Sequence, residues 1–246
     1  MSTPETAEHG TYPPQALHDC AFLADGERGA LVGPRGEITW LCAPRWHSGA
    51  VFSTLIGGTG LYAVTPTGRF VPGGHYEEGS LIWRSRWVTG DGIVESRKAL
   101  GFPGEPGRLI LLRRVRATEG PAQVRVVLHP VADYGTQSLR DARRDDDGVW
   151  TARAGDLHLR RSGGGDASLS EVSSKGGQLT LDPASGAGQW HDLALELSEF
   201  PLWDAPSRSR PRRGPAPNAP GRTPYPRWTT RSPLATHGRR TPCCAA

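Results

Sequence analysis

Lysine is almost missing from this chain: of its 29 basic residues only Lys98 and Lys175 are not arginine, a skew that suggests GC-rich coding DNA. Cysteine is scarce as well. Cys20, Cys42, Cys243 and Cys244 form no Cys-x-x-Cys pair, which argues against a metal or disulfide framework, and the first two fall in strand-like apolar runs as buried free thiols would. Long hydrophobic runs are lacking too. The opening Met1-Ser-Thr-Pro-Glu-Thr-Ala-Glu-His-Gly10 is polar and acidic, without the apolar core of a secretory signal, and no stretch is long enough to span a bilayer. The chain therefore reads as soluble and cytoplasmic, with no membrane partner.

Several catalytic signatures are absent in the same way. Ser162-Gly-Gly-Gly165 has neither the spacing of a nucleophile elbow nor the strand that must precede it. Gly57-Gly58-Thr-Gly60 carries no Lys and opens no helix, so it cannot cradle phosphate as a P-loop does. His18, His75, His129, His158 and His191 are scattered without ligand spacing, and neither zinc nor any other cofactor is implied.

Glycine (32) and proline (22) are what the chain does have in quantity, against an apolar content of only 36%, the mark of many turns. Its charge is unevenly placed. Residues 201–246 hold nine Arg, no Lys and one acid, Asp204, for a net of +8; with +4 over the whole chain, residues 1–200 carry −4. A basic nucleic-acid face on the body is thereby not supported, and no specific nucleic-acid partner is expected. The arginines of the tail would support only salt-sensitive, sequence-blind association.

From Leu17 onward, short apolar or alternating runs recur between turn residues. Strand candidates are Ala21–Ala24, Ala30–Val32, Glu37–Cys42, Gly60–Thr65, Ser80–Val88, Ile93–Leu100, Arg108–Arg116, Ala122–His129, Gly148–Ala152, Leu157–Arg160, Gln178–Leu181 and Gln189–Leu197. In Ala122–His129 the residues Val124, Val126 and Leu128 share one face while Gln123 and Arg125 take the other, the period-two pattern of a strand with one wet side. Arg108–Arg116 and Ala122–His129 form the longest pair of runs, separated by a Thr-Glu-Gly-Pro turn. One short helix is predicted within Ser48–Ile56, where Val51, Phe52 and Leu55 cluster at helical spacing. Many short strands with almost no helix predict an all-β, antiparallel β-sandwich.

Character changes at Glu199-Phe-Pro201. The following Ser/Arg/Pro-rich stretch has no apolar periodicity and cannot bury enough surface to offset its ordering entropy. Three segments result: a flexible lead over 1–16, a sandwich over 17–202 and a disordered Pro/Arg-rich tail over 203–246. The tail's composition is that of GC-rich DNA read out of frame, and a frame-shifted tail is the expectation, with a genuine Pro/Arg-rich tail as the alternative.

The run Gly36-Glu-Ile-Thr-Trp-Leu-Cys-Ala-Pro-Arg45, continuing Trp46-His-Ser-Gly-Ala-Val-Phe-Ser-Thr-Leu-Ile-Gly-Gly58, resembles the opening signature of bacterial glycoside hydrolase family 15 proteins of the glucoamylase and trehalase-like type. Asp91-Gly-Ile-Val-Glu95, Leu109-Ile-Leu-Leu-Arg-Arg-Val115, His129-Pro-Val-Ala-Asp-Tyr-Gly135 and His191-Asp-Leu-Ala-Leu-Glu-Leu-Ser198 extend the likeness in order and spacing. The resemblance implies a supersandwich-like N-terminal domain in a protein that hydrolyses α-glucosidic bonds of trehalose or maltooligosaccharides with inversion. It also implies that the catalytic glutamates sit in a helical barrel, which this chain is expected to lack, so that it would be a truncated hydrolase without turnover of its own. A stand-alone carbohydrate-binding or scaffolding sandwich is the alternative. Loss of a docked barrel would expose apolar surface and favour self-association.

Glycosidases need two carboxyl groups flanking the bond, and no candidate pair stands out. Glu77 and Glu78 are adjacent and would point to opposite sides of a strand, while Asp145-Asp-Asp147 reads as a solvated turn. Arg45, Trp46 and His47 are the candidate substrate-binding residues: an aromatic face suits sugar stacking, and a guanidinium fork suits hydroxyl groups. The competing reading packs Trp46 in the core and has Arg45 anchor a turn through carbonyls. The resemblance departs from its family here, since relatives carry Phe-Asp-Ser-Pro where this chain has Trp46-His47-Ser48-Gly49. Trp83 and Trp87, four apart on one strand face, read as core.

Overall fold

The computed structural model describes residues 12–120, 123–163, 168–173, 176–181 and 190–202. Cys243, Cys244 and the tail from 203 lie outside the described residues, as does the lead up to residue 11. Two eight-stranded antiparallel sheets face each other, as the alternating runs require of a chain that must bury one side of each strand.

The first sheet is built from β1 (Ala21–Ala24), β2 (Gly29–Val32), β3 (Ile38–Cys42), β4 (Ala50–Phe52), β5 (Leu61–Pro66), β10 (Val124–His129), β14 (Ser168–Ser173) and β15 (Gly176–Leu181). Its order is β1-β2-β3-β5-β10-β15-β14, with β4 paired to β3. The second sheet holds β6 (Phe70–Tyr76), β7 (Trp83–Thr89), β8 (Ile93–Leu100), β9 (Arg108–Glu119), β11 (Leu139–Arg144), β12 (Trp150–Ala154), β13 (Leu157–Gly163) and β16 (His191–Ser198). Its order is β11-β12-β13-β16-β9-β8-β7-β6. The runs at Arg108 and Ala122 thus belong to different sheets. β9 pairs with β8 and β16 while β10 pairs with β5 and β15, and the segment between them crosses from one sheet to the other.

The predicted helix within Ser48–Ile56 is replaced by two shorter pieces. Ala50, Val51 and Phe52 are all fully buried and form β4, and only Thr54–Ile56 turns, as a 3-10 segment ended by Gly57 at φ 75°. A helix would have turned part of this triplet toward water, whereas pairing with β3 buries all of it. α1 (Ala132–Gly135) is a single turn that includes residues of left-handed backbone.

Between the sheets lies an apolar layer that includes Leu23, Val32, Ile38, Leu41, Tyr62, Val64, Trp87, Leu109, Leu111, Val126, Leu159, Leu193, Leu195 and Leu197. Trp87 is fully buried and Trp83 packs at its margin, so this tryptophan pair is core, as its spacing predicts. Cys20 and Cys42 are free thiols but only half-buried.

The same layer encloses charge. Arg113 on β9 is buried, stacks 3.9 Å above the Tyr62 ring and donates to the carbonyls of Gly36 (2.8 Å) and Tyr62 (3.0 Å), so it links the two sheets. Burial pushes its pKa down to about 10, with Tyr62, Glu37 and Tyr12 working the other way; the group keeps its proton at neutral pH. Lys98 on β8 is fully buried, donates to Ser85 Oγ (2.7 Å) and lies over the Trp87 ring, its pKa lowered well below the ordinary lysine value by burial and by Arg113. Glu37 is buried beside these cations, and burial raises its pKa against the pull of its own and neighbouring amides, Arg35 and Lys98. Tyr12, in the segment entering the sandwich, reaches Thr65 with its hydroxyl at 3.1 Å.

Arg113→Ala strips two buried carbonyls of their donor and leaves Glu37 with less compensation. A loss of about 3–5 kcal/mol is expected, read as a lower urea midpoint. Glu37 gives a second test. A carboxyl whose pKa is raised on folding favours the folded state most at low pH, and that advantage is lost as pH rises through the folded pKa. Glu37→Gln cannot ionise, so its stability relative to the unmodified chain should improve between about pH 4 and pH 7. Parallel urea titrations across that range measure the change.

Candidate functional site

Arg28 organises the end of the sandwich that carries the sequence-predicted residues. It follows the Asp25-Gly26 turn, where Asp25 Oδ1 accepts from the backbone amides of Glu27 and Arg28. The guanidinium closes a fully buried pair with Asp25 (2.8 Å) and donates through Nη1 to the carbonyls of Pro44 (2.7 Å) and Glu105 (2.8 Å). One side chain therefore fixes three loops. The Gly104 amide adds a bond to the Asp25 carbonyl at 2.9 Å.

The turn after Pro44 is closed locally: the Arg45 amide donates to Ser48 Oγ and the Ser48 amide to the Arg45 carbonyl. Arg45 itself forms a two-point pair with Glu199, at 2.7 and 3.2 Å, which ties the turn to the segment leaving β16. The pairing raises the Arg45 pKa and lowers that of Glu199. Arg45 is thus engaged with a carboxylate, and the turn-anchoring through carbonyls expected of it is done by Arg28. Trp46 does not enter the core. It is 73% exposed and meets His47 edge-on with 5.3 Å between ring centres. Trp46 and His47 stand outward together, available to a ligand or partner.

Against this loop packs the end of the run His129–Gly135, whose sequence does not mark it as part of a site. Asp133, Tyr134 and Gly135 have φ values of 51°, 54° and 96°, three left-handed residues in succession. A Cβ at Gly49 would stand 2.7 Å from Asp133 Cα, so glycine there is required for the approach. Tyr134 leans on Trp40 of β3 with ring centres 6.3 Å apart. No periodicity marks such a turn; only the left-handed preference of Asp and Gly hints at it.

The outer side of the second sheet is occupied differently. Glu95 pairs with Arg84 and Arg116, Glu196 with Arg108 (2.6 Å) and Arg160 (2.7 Å), Asp192 with Arg114 (2.8 Å) and Glu77 with Arg97 (2.8 Å). Trp190 lies under Arg97, Arg114 and Arg116 at 4.2–5.1 Å. Further along this sheet a cleft of about 560 Å³ is lined by Asp141, Arg143, Thr151, Arg153, His158 and Leu202, among others; burial, then Arg153, lowers the His158 pKa. Glu77 and Glu78 sit in the turn after β6 and not on a strand, Glu77 half-buried and Glu78 exposed, while Asp145–Asp147 is the exposed turn its composition predicts.

The family model described as "Trehalase-like, N-terminal" matches residues 10–180. The chain belongs to the trehalase-like N-terminal family. Among curated proteins it is similar to the trehalase of Mycobacterium tuberculosis, 33% identical over 142 residues, and to the trehalase of Mycolicibacterium smegmatis, 32% identical over the same length. In each case the match covers 50% of this chain and 21% of the relative, so it spans about a fifth of these relatives. Trehalase-like N-terminal sequence therefore accounts for the sandwich up to β15, and the charged end at Arg28 and Arg45 is part of it.

The two ion pairs at this end should differ in weight. Arg28→Ala leaves the Asp25 carboxylate buried without its cation and should cost about 3–5 kcal/mol. Arg45→Ala breaks a solvent-screened pair and should leave the unfolding midpoint nearly where it is. Thermal and urea unfolding of the two variants side by side checks the contrast.

Proposed function

We propose that this chain serves as the non-catalytic N-terminal module of a glycoside hydrolase family 15 α-glucosidase, acting in the hydrolysis of trehalose or maltooligosaccharides. On this reading the acid and base carboxylates lie in a helical barrel outside the chain. Membership in the trehalase-like N-terminal family carries the proposal. The state of the carboxylates supports it. An inverting glycosidase needs two carboxyl groups about 6.5–9.5 Å apart across a substrate cleft. Here Asp25, Glu77, Glu95, Asp192, Glu196 and Glu199 are each held by arginine, and Glu37 is enclosed between the sheets. Trp46 and His47, presented on the loop that Arg28 and Glu199 hold in place, are the residues we assign to contact with the α-glucoside or with the domain that binds it.

A chimera tests the proposal, with residues 1–202 replacing the matching segment of the Mycolicibacterium smegmatis trehalase. Trehalose hydrolysis should survive the exchange and fall roughly tenfold or more with Trp46→Ala, about what loss of one aromatic contact worth ~1.4 kcal/mol produces, while 1–246 alone should be inactive. Hydrolysis of trehalose or maltose by purified 1–246, in proportion to the protein, overturns it.

A further inference from the structure

The side of the first sheet that points away from the core carries apolar side chains in a row. Phe22, Leu31 and Trp40 stand in register across β1, β2 and β3, and each alternates along its strand with buried core residues such as Leu23, Ala30 and Leu41. Tyr134 prolongs the row, its ring 6.3 Å from that of Trp40 and tilted by 46°. Phe22 is 48% and Tyr134 56% exposed, so both ends of the row meet water. With neighbouring strands about 4.8 Å apart, the row is roughly 16 Å long.

Tyr134 is held at its end by backbone that few residues adopt. Asp133 and Tyr134 both have positive φ without being glycine, and an exposed ring gives the core no reason to demand it. Strain of this kind collects at ligand contacts. Beside Tyr134, the exposed Asp133 carboxylate accepts from the Thr136 hydroxyl at 3.1 Å, placing an anionic acceptor at the end of the row.

The chemistry suits a sugar chain better than a protein. Four side chains fall far short of the roughly 1,600 Å² that a stable protein interface buries. A pyranose offers an apolar C–H face to stack on aromatic rings and a rim of hydroxyls to donate to a carboxylate. A row of this length also exceeds what a disaccharide covers. We propose that the row Phe22–Leu31–Trp40–Tyr134, ended by Asp133, binds an α-glucan chain of several glucose units. The inference rests on the α-glucoside reading above and places a sugar contact on the sandwich itself, apart from Trp46 and His47.

Isothermal titration of the full chain with maltoheptaose, and separately with trehalose, tests it. Saturable binding of maltoheptaose is expected, at least tenfold tighter than trehalose. Tyr134→Gly removes the ring while suiting the left-handed backbone, so it should leave the thermal midpoint in place and weaken binding at least tenfold. Absence of saturable binding at millimolar maltoheptaose, equal binding of trehalose, or undiminished binding by Tyr134→Gly overturns the proposal. Should Tyr134→Gly fail to fold, Asp133→Asn decides: weakened binding supports the site and unchanged binding removes it. These titrations involve no hydrolysis, so they can fail while the chimera succeeds, or the reverse.

Discussion

The contact on which the sandwich depends is the buried guanidinium of Arg113. Two sheets can slide over an apolar layer with little penalty, because dispersion contacts have no direction. A cation enclosed between them cannot, since its donors must meet acceptors at fixed points. Arg113 belongs to the second sheet and finds Gly36 and Tyr62 carbonyls in the first. Trp87 repeats the pattern nearby, its indole donating to the Pro34 carbonyl at 3.1 Å. Both therefore read the 33–37 turn, which must expose its carbonyls inward. Gly36, at φ 87°, makes that possible: a Cβ there would meet the Val64 carbonyl and would stand 2.7 Å from the Trp87 indole. Glu37 then sets a carboxyl group beside Lys98 and Arg113.

The stretch from Gly36 to Arg45 opens the run that carries the family resemblance. It supplies carbonyls and a carboxyl group to three buried cations: Gly36 and Glu37 to Arg113 and Lys98, Pro44 to Arg28. Its chemistry is that of joining sheets and closing one end of the sandwich. Only after Arg45 do side chains leave the packed structure together, at Trp46 and His47.

What could be read from the chain and what could not follows a physical line. Ala21–Ala24 and Ile93–Leu100 are legible to the residue, and Val124–His129 nearly so, because each has core on one face and a paired neighbour on both sides or a turn close by. The strands that composition did not reveal are β6, β11 and β14, which form sheet edges, and the three-residue β4. An edge strand bonds on one side only and tolerates Pro72, Gly73 and Gly74, which look like a turn. Arg140, Asp141, Arg143 and Arg144 in β11 look like a solvated loop for the same reason. Trp46 is a different case, open in the sequence between a packed and a projecting side chain. Nothing local distinguishes a tryptophan that packs from one that projects; Arg28, 18 residues earlier, sets the loop that exposes it. The Asp133–Gly135 turn was visible as a motif but not as a shape, since successive left-handed residues leave no periodic trace.

The outward faces of the two sheets are not equivalent. On the second, arginines from β7, β8, β9 and β13 close over Glu95, Glu196 and Asp192 and over the Trp190 ring, satisfying one another's charge within the sheet. Any partner approaching that face would have to displace pairs already formed, a cost that gains little in return. On the first, Phe22, Leu31, Trp40 and Tyr134 offer apolar surface whose water is released on contact, and there is no ion pair among them to break. Arg45 and Glu199 sit where the chain leaves the sandwich, close to the turn that carries Tyr134 through the contact of Gly49 with Asp133. Electrostatic closure of one face and aromatic exposure of the other therefore leave the first sheet and the adjoining loop end as the side where contact costs no ion pair.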